Sequence, residues 1–276
     1  MRPVKDIMST NVQWVKPSAT VRAAVAVMAR ERIGSLVVGD GASAVAIISE
    51  TDVVRRVLAE GRDPESVTVD DMMSGPLVTV DDRRPIEQAG DLMAEHEIRH
   101  VAVTSGGKVV GMLSVRDLLP VVNLLPITVE RMMTRMPILV PTQETVRNAA
   151  ALMAHAGVSA LLVAGERLRP RGIHFHGFAR TDVAGIVTGT DLVRDVIDKD
   201  LDPYVTPVSA VMASPLYTLE RTESLATAFD VMAKGKVRHL GITSGGEEVT
   251  GLLSVEDVIE PAWLHVASGS VRKTGK

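Results

Sequence analysis

The chain has 276 residues, 46% hydrophobic and 23% charged, a balance that excludes an intrinsically disordered protein and suits one large domain or two ordinary ones. A net charge of −4 and a pI near 6.0 argue against a basic nucleic-acid-binding face, and the absence of Cys excludes disulfides and thiolate metal sites, as in an intracellular protein. No signal-peptide core lies in MRPVKDIMSTNVQW and no run of about 18 apolar residues exists, so a cytoplasmic protein without membrane contact is expected; aromatics at 3% leave its core to aliphatic side chains.

In chain order, the first marker is DIMS at Met8. An amphipathic helix follows, with Val21, Ala24, Val25 and Met28 at the i, i+3, i+4, i+7 spacing of one buried face. Two apolar strands, SLVVGD and AVAIIS, lead to SETD, where Asp52 opens another helix. The order then recurs. The second copy runs from DMMS at Met73 through Ile86, Ala89, Gly90 and Met93, strands HVAVTS and VVGMLS, to SVRD at Asp117. The third runs from RMMT at Met133 through Val146, Ala149, Ala150 and Met153, strands ALLVAG and VAGIVT, to TGTD at Asp191. The fourth runs from AVMA at Met212 through Leu225, Ala228, Phe229 and Met232, strands HLGITS and VTGLLS, to SVED at Asp257. Gly106-Gly107 and Gly245-Gly246 mark hairpin turns in the even copies.

From Met to Asp the copies measure 44, 44, 58 and 45 residues, so the third carries an insertion of about 14 residues, placed after its helix. Each copy predicts strand–helix–strand–strand–helix, an α/β (α+β) unit too small to bury a core alone, so neighbours must pair. Asp52 to Asp191 and Asp117 to Asp257 are 139 and 140 residues, which marks a duplicated pair. The expected boundaries are 1–62, 66–123, 126–199 with an inserted hairpin at about 165–183, and 205–262, followed by a basic tail at 263–276.

On these residues, above all the Gly-x-x-[ST]-x-x-Asp ending repeated in order with the Met-containing lead, the chain resembles the cystathionine-β-synthase (CBS) domain family over roughly residues 1–262. The resemblance implies four motifs in two Bateman modules, a disc-like assembly with clefts for adenosine-containing ligands, and a regulatory role toward an enzyme, channel or transporter. No attached effector is visible in the sequence, so a stand-alone sensor working through a separate effector protein, as a homodimer, is expected.

The candidate ligand residues begin with the four acids Asp52, Asp117, Asp191 and Asp257. A carboxylate at a helix opening can accept two hydrogen bonds from the vicinal hydroxyls of a ribose, while the free N–H groups of that opening attract phosphate. Ser49, Ser114, Thr188 and Ser254, three residues earlier, offer hydroxyls to the phosphate. The same spacing is also a capping pattern, and capping is expected at most of the four. Arg99-His100 and Arg238-His239 precede the first hairpin strand in copies two and four, where copies one and three have Gly34-Ser35 and Val158-Ser159. Arginine's fixed fork suits phosphate, so Asp117 and Asp257 are the favoured sites, with Arg116 added to the first. In the odd copies Arg55 and Arg194 lie one helical turn past the acid, where the even copies have Pro120 and Glu260. Copy one has Ala46 where the others have Gly111, Gly185 and Gly251; if a ligand needs the missing Cβ, site one is weakened. The resemblance further implies that the purine is gripped by the lead segment of the partner motif: Thr10, Val12 and Gln13 for Asp117, and Thr134, Met136 and Ile138 for Asp257.

The insertion holds Arg167, Arg169, Arg171 and Arg180 with His174 and His176, which reads as a contact hairpin and not a metal site. No nucleophile–base arrangement, metal motif or GxGxxG opening stands out, so no catalytic cofactor is expected and the protein reads as a non-enzyme. The expected function is regulatory binding of AMP, ADP or ATP. The alternatives are scaffolding without a nucleotide, or sensing of S-adenosylmethionine or NAD-type ligands.

Overall fold

A computed structural model describes residues 2–41, 43–118, 127–165, 178–179, 182–246 and 248–257. Pro120, Glu260, the tail, and Arg167, Arg169, Arg171, His174, His176 and Arg180 of the insertion lie outside the described residues.

Copy one forms β1 (Trp14–Val15), α1 (Val21–Glu31), β2 (Ser35–Gly39), β3 (Ala44–Ser49) and α2 (Glu50–Val53), the last continuing as a wider helix over Val54–Leu58. Copy two forms α3 (Val69–Met72), β4 (Thr79–Asp81), α4 (Ile86–Glu95), β5 (His100–Ser105), β6 (Lys108–Ser114) and α5 (Val115–Leu118). Copy three forms β7 (Leu139–Val140), α6 (Val146–Ala156), β8 (Ala160–Ala164), β9 (Phe178–Ala179), β10 (Val183–Thr188) and α7 (Gly189–Asp191), which continues over Leu192–Ile197. Copy four forms β11 (Thr218–Glu220), α8 (Leu225–Gly235), β12 (His239–Ser244) and β13 (Glu248–Ser254). In every copy the middle strand runs parallel to the short first strand and antiparallel to its hairpin partner. This is the mixed α/β unit that the sequence predicts.

The helices form for local reasons. Thr20, Thr145 and Ser224 cap α1, α6 and α8 by accepting the N–H three residues on. The faces that turn inward are Val21, Ala24, Val25, Met28; Ile86, Ala89, Gly90, Met93; and Val146, Ala149, Ala150, Met153. In α8 Leu225, Ala228 and Met232 are buried, and Phe229 is half-buried, packed against the same core. Gly106-Gly107 and Gly245-Gly246 all have positive φ, the conformation a two-residue hairpin turn demands.

Contacts divide the chain into two units, one of residues 1–12, 78–135 and 217–276, the other of 13–77 and 136–216. The first holds the hairpins of copies two and four around a core that includes Val101, Leu113, Leu240 and Leu253. In the second, copies one and three share a core that includes Met28, Leu36, Met153 and Leu161.

Lead segments are exchanged between successive copies. Ser9 exchanges backbone hydrogen bonds with Met112, both 2.9 Å, and Ser74 with Ile47, 2.8 and 3.0 Å. Thr134 does so with Leu252 and Ala213 with Ile186, each at 2.8 and 3.0 Å. Each lead starts on a short turn whose first residue, Val4, Val69, Val129 or Val208, is 0% exposed and anchors the crossing. The motif glycines make room for this crossing. A Cβ on Gly111 would lie 2.5 Å from Met8 Sδ, one on Gly251 2.6 Å from Met133 Sδ, and one on Gly185 2.4 Å from the Ala213 carbonyl oxygen.

Because the obstacle at Gly185 is backbone, Gly185→Ala is expected to destabilise the protein by about 1–3 kcal/mol in urea or thermal unfolding. Unchanged stability would show that the crossing tolerates a side chain there.

Candidate functional site

Hairpin register sets the geometry of the site. His100 lies opposite Ser114 and His239 opposite Ser254, so the basic residues opening one strand stand level with the serine closing the next. Val115 N–H donates to the Arg99 carbonyl and Val255 N–H to the Arg238 carbonyl, both at 3.0 Å, which ties each helix opening to its arginine. In the odd copies Ser35 faces Ser49 and Ala160 faces Thr188, with no basic residue at either place.

All four acids cap their own helix opening. Asp117 Oδ2 accepts the Ser114 N–H and hydroxyl, both at 2.7 Å. Asp257 Oδ2 accepts the Ser254 N–H at 2.8 Å, and Ser254 Oγ accepts the Asp257 N–H at 3.1 Å. Asp52 Oδ2 takes the Ser49 N–H and hydroxyl at 2.9 and 2.6 Å, and Asp191 Oδ2 those of Thr188 at 2.8 and 2.7 Å. Capping therefore consumes one oxygen of each carboxylate, and a grip on two hydroxyls by two free oxygens is not on offer. At Asp117 and Asp257 the second oxygen takes no hydrogen bond from the described residues, and it retains two lone pairs.

The odd copies differ. Asp52 is 8% exposed, and its Oδ1 accepts the Ser74 hydroxyl at 2.7 Å, so both oxygens are committed. Beside Asp191, Glu50 Oε2 accepts the Thr190 hydroxyl at 2.7 Å, and Glu50 Oε1 stands 3.3 Å from Arg194 Nε. Arg194 is thus engaged within the protein, while Arg55 points to solvent.

The first unit gathers Arg99, His100, Arg116, Arg238, His239 and Glu256 within mutual electrostatic reach. Arg99 Nη1 donates to Glu256 Oε1 at 2.9 Å, although the two residues are 157 apart in sequence. Burial and the charges of Arg99, Arg238 and Arg116 push His100 down to about 3. Burial likewise pushes His239 down to about 4, with Arg238 and Arg99 adding to it against the pull of Glu256. Both rings are therefore neutral at pH 7. Burial pushes the Glu256 carboxyl up, but the Arg99 charge and hydrogen bond, helped by Arg238, outweigh it and hold the pKa at about 2. Asp257 is raised by burial, against the opposing hydrogen bonds of Ser254, and the neighbouring Glu256 charge adds to the rise.

Of the lead residues, Thr10 and Val12 belong to the first unit and follow Ser9, which pairs with Met112 of β6 two residues before Ser114. Thr134, paired with Leu252, stands in the same relation to Ser254. Gln13, Met136 and Ile138 belong to the second unit: the Gln13 carbonyl accepts from Val37 N–H, the Ile138 carbonyl accepts from Leu162 N–H, and Met136 is 57% exposed. The pattern reading missed Glu256, Glu50 and Ser74. For Glu256 a signal exists: SVED replaces SVRD, a charge reversal at one repeat position. Among the described residues no group of three or more His, Asp or Glu is placed to hold a metal ion, and no helix is long and apolar enough to cross a membrane.

A family model described as "CBS domain" matches residues 4–59, 69–123, 129–173 and 208–262. The CBS domain-containing protein YhcV of Bacillus subtilis is 31% identical over 118 residues, 43% of this chain and 84% of YhcV. Protein MJ1225 of Methanocaldococcus jannaschii, put forward as an archaeal homologue of g-AMPK, superposes with a TM-score of 0.75 at 16% identity, covering 94% of this chain and 99% of its own. A conserved protein of Pyrococcus horikoshii does so with a TM-score of 0.61 at 21% identity, covering 95% and 100%. At these identities the two structures show a shared fold.

A free histidine binds a proton near 6.5, whereas His239 and His100 do so only near 4 and 3, so protons taken up in between favour the unfolded chain. Stability is therefore expected to be full above about pH 6.5 and to fall as pH drops toward 4. His239→Gln should flatten that slope in thermal unfolding across the range; an unaltered slope would mean the ring is not held neutral by its surroundings.

Proposed function

Because the chain belongs to the CBS domain family, whose members are usually regulatory, we propose that it is a nucleotide sensor binding AMP, ADP or ATP at the helix openings of Asp117 and Asp257. The observation that supports this reading is the meeting, in one unit, of two carboxylates with an uncommitted oxygen and three arginines. A carboxylate oxygen accepts hydrogen bonds from sugar hydroxyls, and guanidinium groups donate to phosphate oxygens, so the two chemistries match the two halves of a nucleotide. Thr10 and Val12 flank the first site and Thr134 the second. Both oxygens of the buried Asp52 already accept hydrogen bonds, and Glu50 engages the polar groups beside Asp191, so two sites are expected and not four. Binding is passed to an effector protein by a homodimer in the cytoplasm, with no chemistry performed on the nucleotide.

Calorimetry with AMP, ADP, ATP, S-adenosylmethionine and NAD tests this. Wild type should bind at least one of the first three at two sites. Asp117→Ala and Asp257→Ala should each remove one binding event while the circular dichroism spectrum stays native. Binding of S-adenosylmethionine or NAD alone would reassign the ligand. If none binds, and the two variants keep their protein associations, the scaffolding alternative holds.

A further inference from the structure

The repeat makes copies two and four equivalent, yet they carry opposite charges one residue before the acid: Arg116 precedes Asp117 and Glu256 precedes Asp257. Glu256 reaches across the first unit to Arg99, which belongs to copy two, and Arg99 is one of the groups on which phosphate recognition depends in the reading above. We infer that Glu256 is a built-in competitor for the ligand: its carboxylate occupies the Arg99 guanidinium in the empty protein and is displaced when an anionic ligand binds, so it weakens and selects among such ligands.

Three observations favour displacement over a fixed structural bridge. The pair is only half-buried, with side chains 33% and 27% exposed, so solvent and solutes reach it. It is also one-armed: Oε1 meets Arg99, while Oε2 is buried without a hydrogen-bond partner among the described residues, an unmet demand that moving into water would relieve. Finally, Arg99, Arg116 and Arg238 all act electrostatically on His100, and Arg99 and Arg238 on Glu256 itself, so the surroundings of Glu256 favour an anion. The second unit shows the contrasting case. Glu50 stands 3.3 Å from Arg194, but its side chain is only 9% exposed and its other oxygen takes the Thr190 hydroxyl, so this carboxylate is more deeply enclosed.

This inference rests on the nucleotide reading only for its biological ligand, and inorganic pyrophosphate serves as a probe that needs no adenine pocket. Calorimetry on the full chain compares wild type, Glu256→Gln, Arg99→Gln and the double variant with AMP, pyrophosphate and adenosine. Glu256→Gln is expected to bind AMP and pyrophosphate about 3- to 30-fold more tightly. Adenosine affinity should not change, and the gain should vanish in the Arg99→Gln background. Equal or weaker anion binding by Glu256→Gln would overturn the inference while leaving wild-type AMP binding, and with it the sensor reading, in place. Tighter pyrophosphate binding without any AMP binding would do the reverse. An equal gain for adenosine would also overturn it, since a neutral ligand does not compete with a carboxylate. Absence of binding by every form to every probe would remove both.

Discussion

Antiparallel pairing inside each hairpin is the constraint from which the rest of the site follows. Once His100 is fixed opposite Ser114 and His239 opposite Ser254, the Arg before one strand and the acid after the next cannot be far apart. A one-residue slip would turn every side chain of the strand to the other face and bury polar groups where Val101 and Leu240 now pack. The register is held from both ends. Gly-Gly turns close the hairpins of copies two and four, and the exchanged lead segments add a further bridge beside β6 and β13. Packing therefore specifies the polar geometry, and the core of this unit and its candidate binding site are determined together.

The two units use one scaffold with different polar endings. In the unit of copies one and three the acids and arginines are absorbed by the protein: Ser74 completes Asp52, and Glu50 engages Thr190 and Arg194. In the unit of copies two and four three arginines gather near Glu256, and two carboxylate oxygens stay uncommitted among the described residues. The repeat supplies four equivalent helix openings, and different residues at a few positions separate satisfied openings from unsatisfied ones. A buried polar group tends to find a partner, so groups left partly unmatched near the surface stand out as places for a ligand.

Much of this was legible in the sequence. The eight hairpin strands and four amphipathic helices follow from local periodicity, because each depends on neighbours within a few residues. The charge of copies two and four was legible too, as Arg-His placed twice in register. What escaped were contacts between residues distant in the chain. Nothing near Asp52 announces that Ser74 will fill its second oxygen, and nothing near Arg99 announces Glu256. The packing role of the glycines at 111, 185 and 251 escaped for the same reason: they make room for a lead segment from another copy, which local pattern does not reveal. The four buried valines that anchor those leads share a repeat, V-x-x-[IMV]-M, which is the sequence signal of the crossing.

Hydrogen–deuterium exchange of the full chain with and without saturating AMP or ATP tests the central claim most directly. Occupation of the unit of copies two and four predicts slowed exchange at 112–118 and 252–257, with 49–55 and 188–194 unaffected. Protection confined to the latter two segments would contradict the account, because it would put the ligand where the protein's own side chains are held to have taken its place.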